Sequence, residues 1–169
     1  MRRRLIRLLP LLVLVVVGGT GAALAAGAAP KAGTATVKTA TGKFGTVLVA
    51  GNGHTLYRYT PDKKGKSTCT GACLQYWPKL MVKAGTKPTA AGGAESSLLG
   101  TIKAGRGMAQ VTYAGYPLYL YVADKSAGQI NGEGSFKSWY VVNTHGALVK
   151  AATKTTSSST SSSDGGGWG

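Results

Sequence analysis

Beyond residue 44 the apolar residues come in short runs split by glycine-rich breaks, the pattern of short strands and turns. Thr46-Val47-Leu48-Val49-Ala50 is a β-prone run, Gly51-Asn52-Gly53 a turn, and Thr55 to Thr60 the returning strand, which together predict a hairpin. Asp62-Lys63-Lys64-Gly65 carries type I turn chemistry. Thr70 to Tyr76 suits one or two helical turns ended by Pro78, and Lys79 to Val82 a short strand. Residues 84–97 read as a loop between two halves. Order resumes with a strand from Leu98 to Ile102 and a turn at Ala104-Gly105-Arg106-Gly107. A second hairpin follows: Met108 to Tyr113, a tight Ala114-Gly115 turn, then Pro117 to Val122. Gln129 to Ser135 is a loop, Trp139 to Val142 a strand, and Ala147 to Val149 a further short strand. Long helical periodicity is absent.

The two hairpins are copies. A shift of 62 positions lays residues 115–142 on 53–80 without a gap, and seven of the 28 positions are identical. These are Gly53/Gly115, Leu56/Leu118, Tyr57/Tyr119, Tyr59/Tyr121, Asp62/Asp124, Lys63/Lys125 and Trp77/Trp139. The expected fold is therefore all-β or β-rich, with two tandem, pseudo-equivalent hairpin units (about 44–82 and 98–149) packed as one small domain over 44–150. A short helical turn is expected near the cysteines. On a strand, Tyr57 and Tyr59 share one face while Leu56 and Arg58 share the other. Tyr119 and Tyr121 likewise oppose Leu118 and Leu120, and Leu120 in place of Arg58 implies a more enclosed second copy.

The flanks look different. Residues 1–25 read as a secretory signal: Arg2, Arg3, Arg4 and Arg7, an apolar run from Leu8 to Val17, then Ala23-Leu24-Ala25 as a cleavage site. No cysteine follows to accept a lipid. Residues 26–43 read as a flexible leader with a strand entry at 35–38, and 151–169 as a disordered Ser/Thr/Gly tail. The expected location is outside the cell or in the cell envelope.

The formal charge is +15, and the four signal arginines leave +11 for the remainder. Such a chain is attracted to anionic cell-wall polymers or a membrane surface. The lysines are scattered, apart from Lys63-Lys64 with Lys66, and aromatic residues do not alternate with them, so no specific nucleic-acid surface is expected. Cys69 and Cys73 enclose Thr-Gly-Ala, and in an oxidising compartment they suit a local disulfide. Two thiolates with no nearby His or Cys pair make a poor metal site, and the motif is not that of haem attachment.

The tyrosines and tryptophans admit two readings: strand residues that fill a core, or an aromatic platform for a ligand. Asp62 and Asp124, two of only four acids between residues 44 and 150, admit two as well. Each accepts backbone N–H groups in its turn, or each faces a tyrosine hydroxyl or a cation. Paired carboxylates can hydrolyse glycosides, but neither acid lies in a catalytic motif. His54 and His145 have no readable Ser or Cys partner. The glycine-rich stretch 128–134 resembles a phosphate loop in composition only.

Tyr57-x-Tyr59-x-x-Asp62 and Tyr119-x-Tyr121-x-x-Asp124 resemble the motif of the bacterial predicted lipoproteins with a Yx(FWY)xxD motif, a family also called the secreted repeat of unknown function. Thr55-Leu56-Tyr57, Ser67 to Cys73, Trp77-Pro78, Gly115 to Tyr119 and Trp139 to Val142 fit the same resemblance, which covers about residues 45–146. It implies an exported, often envelope-associated protein of tandem repeats. Two departures stand out: the lipoprotein members carry a cysteine after the signal, and Gln129 stands where the second-repeat loop often has an acid.

The sequence thus leads to a secreted or cell-surface binding or structural module without catalysis, and no cofactor is expected. The alternative is an extracytoplasmic redox or cofactor-associated protein, with Cys69 and Cys73 or the tyrosines and aspartates around a haem or metal. Tyr57, Tyr59, Asp62, Tyr119, Tyr121 and Asp124 are the candidate motif residues, and Trp77 and Trp139 the repeat core.

Overall fold

The computed structural model describes residues 35–150. The expected signal, the start of the leader and the Ser/Thr/Gly tail lie outside these residues.

The chain is β-rich. It forms β1 (Thr36–Gly42), β2 (Gly45–Ala50), β3 (Tyr57–Tyr59), α1 (Cys73–Tyr76), β4 (Met81–Lys83), β5 (Thr89–Ala90), β6 (Leu99–Gly105), β7 (Met108–Tyr113), β8 (Tyr116–Pro117), β9 (Trp139–Val142) and β10 (Leu148–Val149). Short 3₁₀ turns occupy Ser96–Leu98 and Ser135–Lys137. The small sheets run β2-β1-β5, β10-β9-β3 and β4-β7-β6, with β8 on β7.

The strand entry expected at 35–38 is present, and the strand runs on through Gly42, where the sequence reads as leader. β1 is a full strand, paired antiparallel with β2 from Val37↔Ala50 to Gly42↔Gly45. The shift of 62 places it on β6, just as it places β2 on β7, so each repeat opens with its own hairpin. Thr36, Val37, Thr39 and Thr41 are β-branched, as suits a strand, and Val37 is buried. The inter-repeat loop is also partly strand, since β5 pairs parallel with β1 at Thr36↔Thr89. The predicted type I turn moves by one residue: Lys66 donates its N–H to the Lys63 carbonyl, with Gly65 at φ +72°. This shift leaves the Asp62 side chain free of that turn.

Both expected hairpins begin as predicted and then part. Leu56 donates to Leu48, but β3 leaves β2 to pair with β9, with Tyr57 opposite Val141 and Tyr59 opposite Trp139. In the second repeat β7 turns into β8 through Ala114 and Gly115, both at positive φ, as a two-residue hairpin turn of this hand requires. Tyr119 then pairs with Lys79 of the first repeat. Each Trp-bearing segment thus lies beside the other repeat's tyrosines, and the two copies interlock.

Strand alternation sorts the side chains into two cores. Leu56, Leu118 and Leu120 join Val37, Leu48, Val82 and Val111 in an aliphatic cluster. Tyr57 and Tyr119 join Trp77, Trp139, Val47, Val141 and Cys69 in an aromatic one. Leu120 is buried, whereas Arg58 is half-buried with its guanidinium 3.4 Å from the centre of the Tyr116 ring.

Candidate functional site

The seam between the repeats is built around one backbone pair. Tyr57 and Tyr119 exchange both main-chain hydrogen bonds, N–H to carbonyl, at 2.9 and 3.0 Å. A local two-fold axis passes between them, and the side chains obey it. The Tyr57 hydroxyl donates to Asp124 Oδ2 at 2.6 Å, and the Tyr119 hydroxyl donates to Asp62 Oδ2 at 2.7 Å. Each tyrosine is held by the other repeat's aspartate. All four residues are buried.

The second carboxylate oxygens do local work. Asp62 Oδ1 accepts the Thr68 N–H at 2.6 Å and its hydroxyl at 2.7 Å, while Asp124 Oδ1 accepts the Asn131 N–H at 2.9 Å. The two readings of the aspartates therefore coexist: each secures its own loop with one oxygen and the partner repeat with the other. The phenols are strongly shifted as a result. Burial raises the pKa of Tyr57 far above 10, with the Asp124 hydrogen bond and charge adding to it. Burial and Asp62 likewise raise Tyr119, although the Ser67 hydroxyl, at 2.7 Å, pulls the other way.

The remaining aromatics form a stack across the same axis. Trp77 and Trp139 lie face to face at 3.9 Å with their planes 1° apart. Tyr121 covers the outer face of Trp77 at 4.2 Å and Tyr59 that of Trp139 at 4.4 Å. The order is Tyr121, Trp77, Trp139, Tyr59, alternating between repeats. Tyr57 and Tyr119 close on the tryptophans edge-on at 5.3 and 5.1 Å. The geometry of this duplicated set follows from residue type: flat rings can stack tightly, and phenols carry a polar tip that burial obliges to find a partner.

Only Gly132 fits beside this assembly. It is buried with its N–H 3.3 Å from the Tyr57 hydroxyl, and a Cβ there would stand 2.7 Å from Trp77 and 3.0 Å from Tyr57. The glycine-rich loop makes room for the rings. Gln129 in the same loop accepts the N–H groups of Lys125 and Ser126 through Oε1, so it secures a turn.

The two sequences Cys-x-x-x-Cys and Asn-x-x-x-Ser at equivalent places give the copies different rims. Cys69 and Cys73 are joined by a disulfide, with Cα atoms 5.5 Å apart, which fastens α1 beside the stack. Along the stack's open side runs a groove of about 550 Å³. Tyr59, Trp77, Tyr121 and Trp139 form its floor, Cys73 and Tyr76 one side, and Phe136 and Ser138 the other. Phe136 is 87 % exposed and Tyr76 59 %. Phe136 and Lys137 both sit at φ +52°, a region that bulky residues seldom occupy.

The family described as a secreted repeat of unknown function matches the chain twice, over residues 38–81 and 100–143. The chain belongs to that family. The two matches begin in β1 and β6 and end in β4 and just beyond β9, so this secreted repeat protein carries one family unit on each side of the two-fold axis. No curated protein and no solved structure matches the chain. No helix among the described residues is long and apolar enough to cross a membrane.

The sequence-derived site residues are thus brought together at one seam, with the tyrosine–aspartate pairs buried in it and the Trp–Tyr stack forming the groove floor. His54 and His145 lie elsewhere; His145 Nδ1 is 3.3 Å from Glu95 at the surface. Among the described residues no three His, Cys, Asp or Glu side chains gather as a metal site. Tyr76, Phe136 and Ser138 escaped sequence reasoning because they break the repeat: Leu74 stands where the second copy has Phe136. An aromatic next to a lysine in a glycine-rich loop was the available signal.

Proposed function

We propose that this secreted repeat protein is a non-catalytic binding module that holds to anionic polymers of the cell envelope. The surface charge carries this reading. Ten lysines and Arg106 are exposed, whereas Glu95 is the one exposed acid among the described residues. Asp62 and Asp124 are buried and Glu133 is half-buried. Burying acids while displaying bases leaves an outer face of nearly one sign, which attracts a polyanion over about a Debye length, about 8 Å at physiological salt.

The seam supports the absence of catalysis. Both aspartates of the motif are engaged at both oxygens and sealed from solvent, so neither is positioned to meet a substrate. The cysteines are tied to each other. For the alternative of a metal protein, no three His, Cys, Asp or Glu side chains gather among the described residues.

Retention on purified cell wall, measured at rising salt, tests the proposal. The protein is expected to bind at low salt and to elute as salt increases. Failure to bind at the lowest salt contradicts it.

A further inference from the structure

We infer that the aromatic groove at the seam binds uncharged pyranose rings of a glycan chain, a recognition step that rests on the binding-module reading above. The groove has the size of ordinary ligand sites, which span about 300–1,000 Å³ and combine aromatic walls with a few polar groups. No Asp, Glu, Lys, Arg or His lines it. Its ligand is therefore recognised through apolar faces and hydroxyls rather than through charge.

The stack restricts what can enter. Trp77 and Trp139 each use both faces, one on the other and one on a tyrosine. A flat aromatic ligand finds no slot to slide into. The groove is lined by this stack, by the two exposed rings of Tyr76 and Phe136, and by Ser138. A pyranose matches such a surface: its C–H face packs on an aromatic ring while its equatorial hydroxyls reach sideways for partners. The Tyr59, Tyr76 and Tyr121 hydroxyls make no hydrogen bond within the described protein, and Ser138 spends its donor on the Phe136 carbonyl at 3.0 Å. Three phenols are thus available as donors and acceptors around an apolar floor.

The groove is open to solvent and straddles the two-fold axis, with Tyr59 and Tyr121 at its equivalent ends. That shape suits a segment of a longer chain more than an enclosed small molecule. Phe136 is held on the rim at positive φ, a strained conformation of a kind that clusters at binding sites. Exposed Lys137 follows it in the chain. A neutral stretch of sugar in the groove and anionic groups on the lysines would share one polymer.

The test uses uncharged linear oligosaccharides of N-acetylglucosamine, glucose and mannose at about 1 M salt, where charge attraction is screened to about 3 Å. Binding to the full chain is followed by the indole NMR signals of Trp77 and Trp139. At least one series is expected to shift them in a saturable way. Phe136→Ala and Tyr76→Ala, both at exposed positions, are each expected to weaken that binding roughly tenfold without altering thermal stability. Absence of saturable shifts throughout the panel overturns the inference, as does binding that neither substitution weakens. The two proposals separate cleanly: low-salt retention on cell wall with no sugar binding removes the groove and leaves the charged surface, and the reverse result removes the charged surface.

Discussion

Tyr57 of the first repeat gives its hydroxyl proton to Asp124 of the second at 2.6 Å, and the mirror-image bond joins Tyr119 to Asp62 at 2.7 Å. A motif seen twice in the sequence is thus completed only when the copies meet. Each Tyr-x-Tyr-x-x-Asp segment supplies half of two bonds, so the motif's spacing encodes the seam. The first tyrosine reaches across the axis to the other aspartate, and the second stacks on the other tryptophan.

Removing either phenol oxygen leaves a buried carboxylate oxygen without its partner. Tyr57→Phe and Tyr119→Phe are each expected to lower unfolding free energy by about 1–3 kcal/mol. The two effects should be of similar size because each phenol serves the same role for the other repeat's aspartate. Chemical denaturation of each variant checks this.

The same tyrosines predict an alkaline limit. Their folded pKa values are raised above 10 by burial and the facing aspartates. A raised phenol holds its proton more tightly when folded, so its stabilising effect is complete below pH 10. It declines as pH rises above the unfolded value, because unfolding then releases protons. The expected slope is about 1.4 kcal/mol per pH unit for each tyrosine. Denaturation curves between pH 9 and 12 should show the decline, and Tyr57→Phe should make it shallower.

Trp77 and Trp139 carry the other half of the seam. Trp139→Ala removes the central ring contact and one tyrosine's stacking partner, at an expected cost of about 3–5 kcal/mol. Trp77→Ala should match it. Gly132→Ala drives a methyl group into two buried rings and should cost about 1–3 kcal/mol, a loss that a Gly42→Ala control, where a Cβ meets nothing within 4 Å, should not show. Thermal unfolding ranks all four variants.

The disulfide closes a short loop, so its entropic contribution is about 2 kcal/mol. Reduction, or paired Cys69→Ser and Cys73→Ser, should lower stability by that amount and loosen α1 along the groove. Hydrogen exchange at residues 73–77 should rise while that of β6 and β7 stays slow.

Much of this architecture was legible. Alternation placed Leu56 and Tyr57 on opposite faces, and they enter different cores. The Ala114-Gly115 turn and the α1 turn before Pro78 were carried by local chemistry. Only the entry of β1 was legible, because Ala, Gly, Thr and Lys together resemble a linker, although a shift of 62 from residue 98 already lands on residue 36. The exchange between repeats was not legible. Sequence identity reveals that two units share a geometry, and it is silent on whether each tyrosine faces its own aspartate or its twin's. That choice is set by β3 leaving β2 for β9, a long-range pairing with no local signal. The groove was half visible: its floor repeats, and its rim at Tyr76 and Phe136 does not.

The most direct test of the central claim is a double-mutant cycle on Tyr57→Phe and Asp124→Asn, read by denaturation together with low-salt retention on cell wall. The predicted result is a coupling of at least about 1 kcal/mol in stability, with folded variants still retained on the wall. Zero coupling, or variants of full stability that no longer bind, would contradict a seam in which the exchanged tyrosine–aspartate pairs build the fold and the outer surface does the binding.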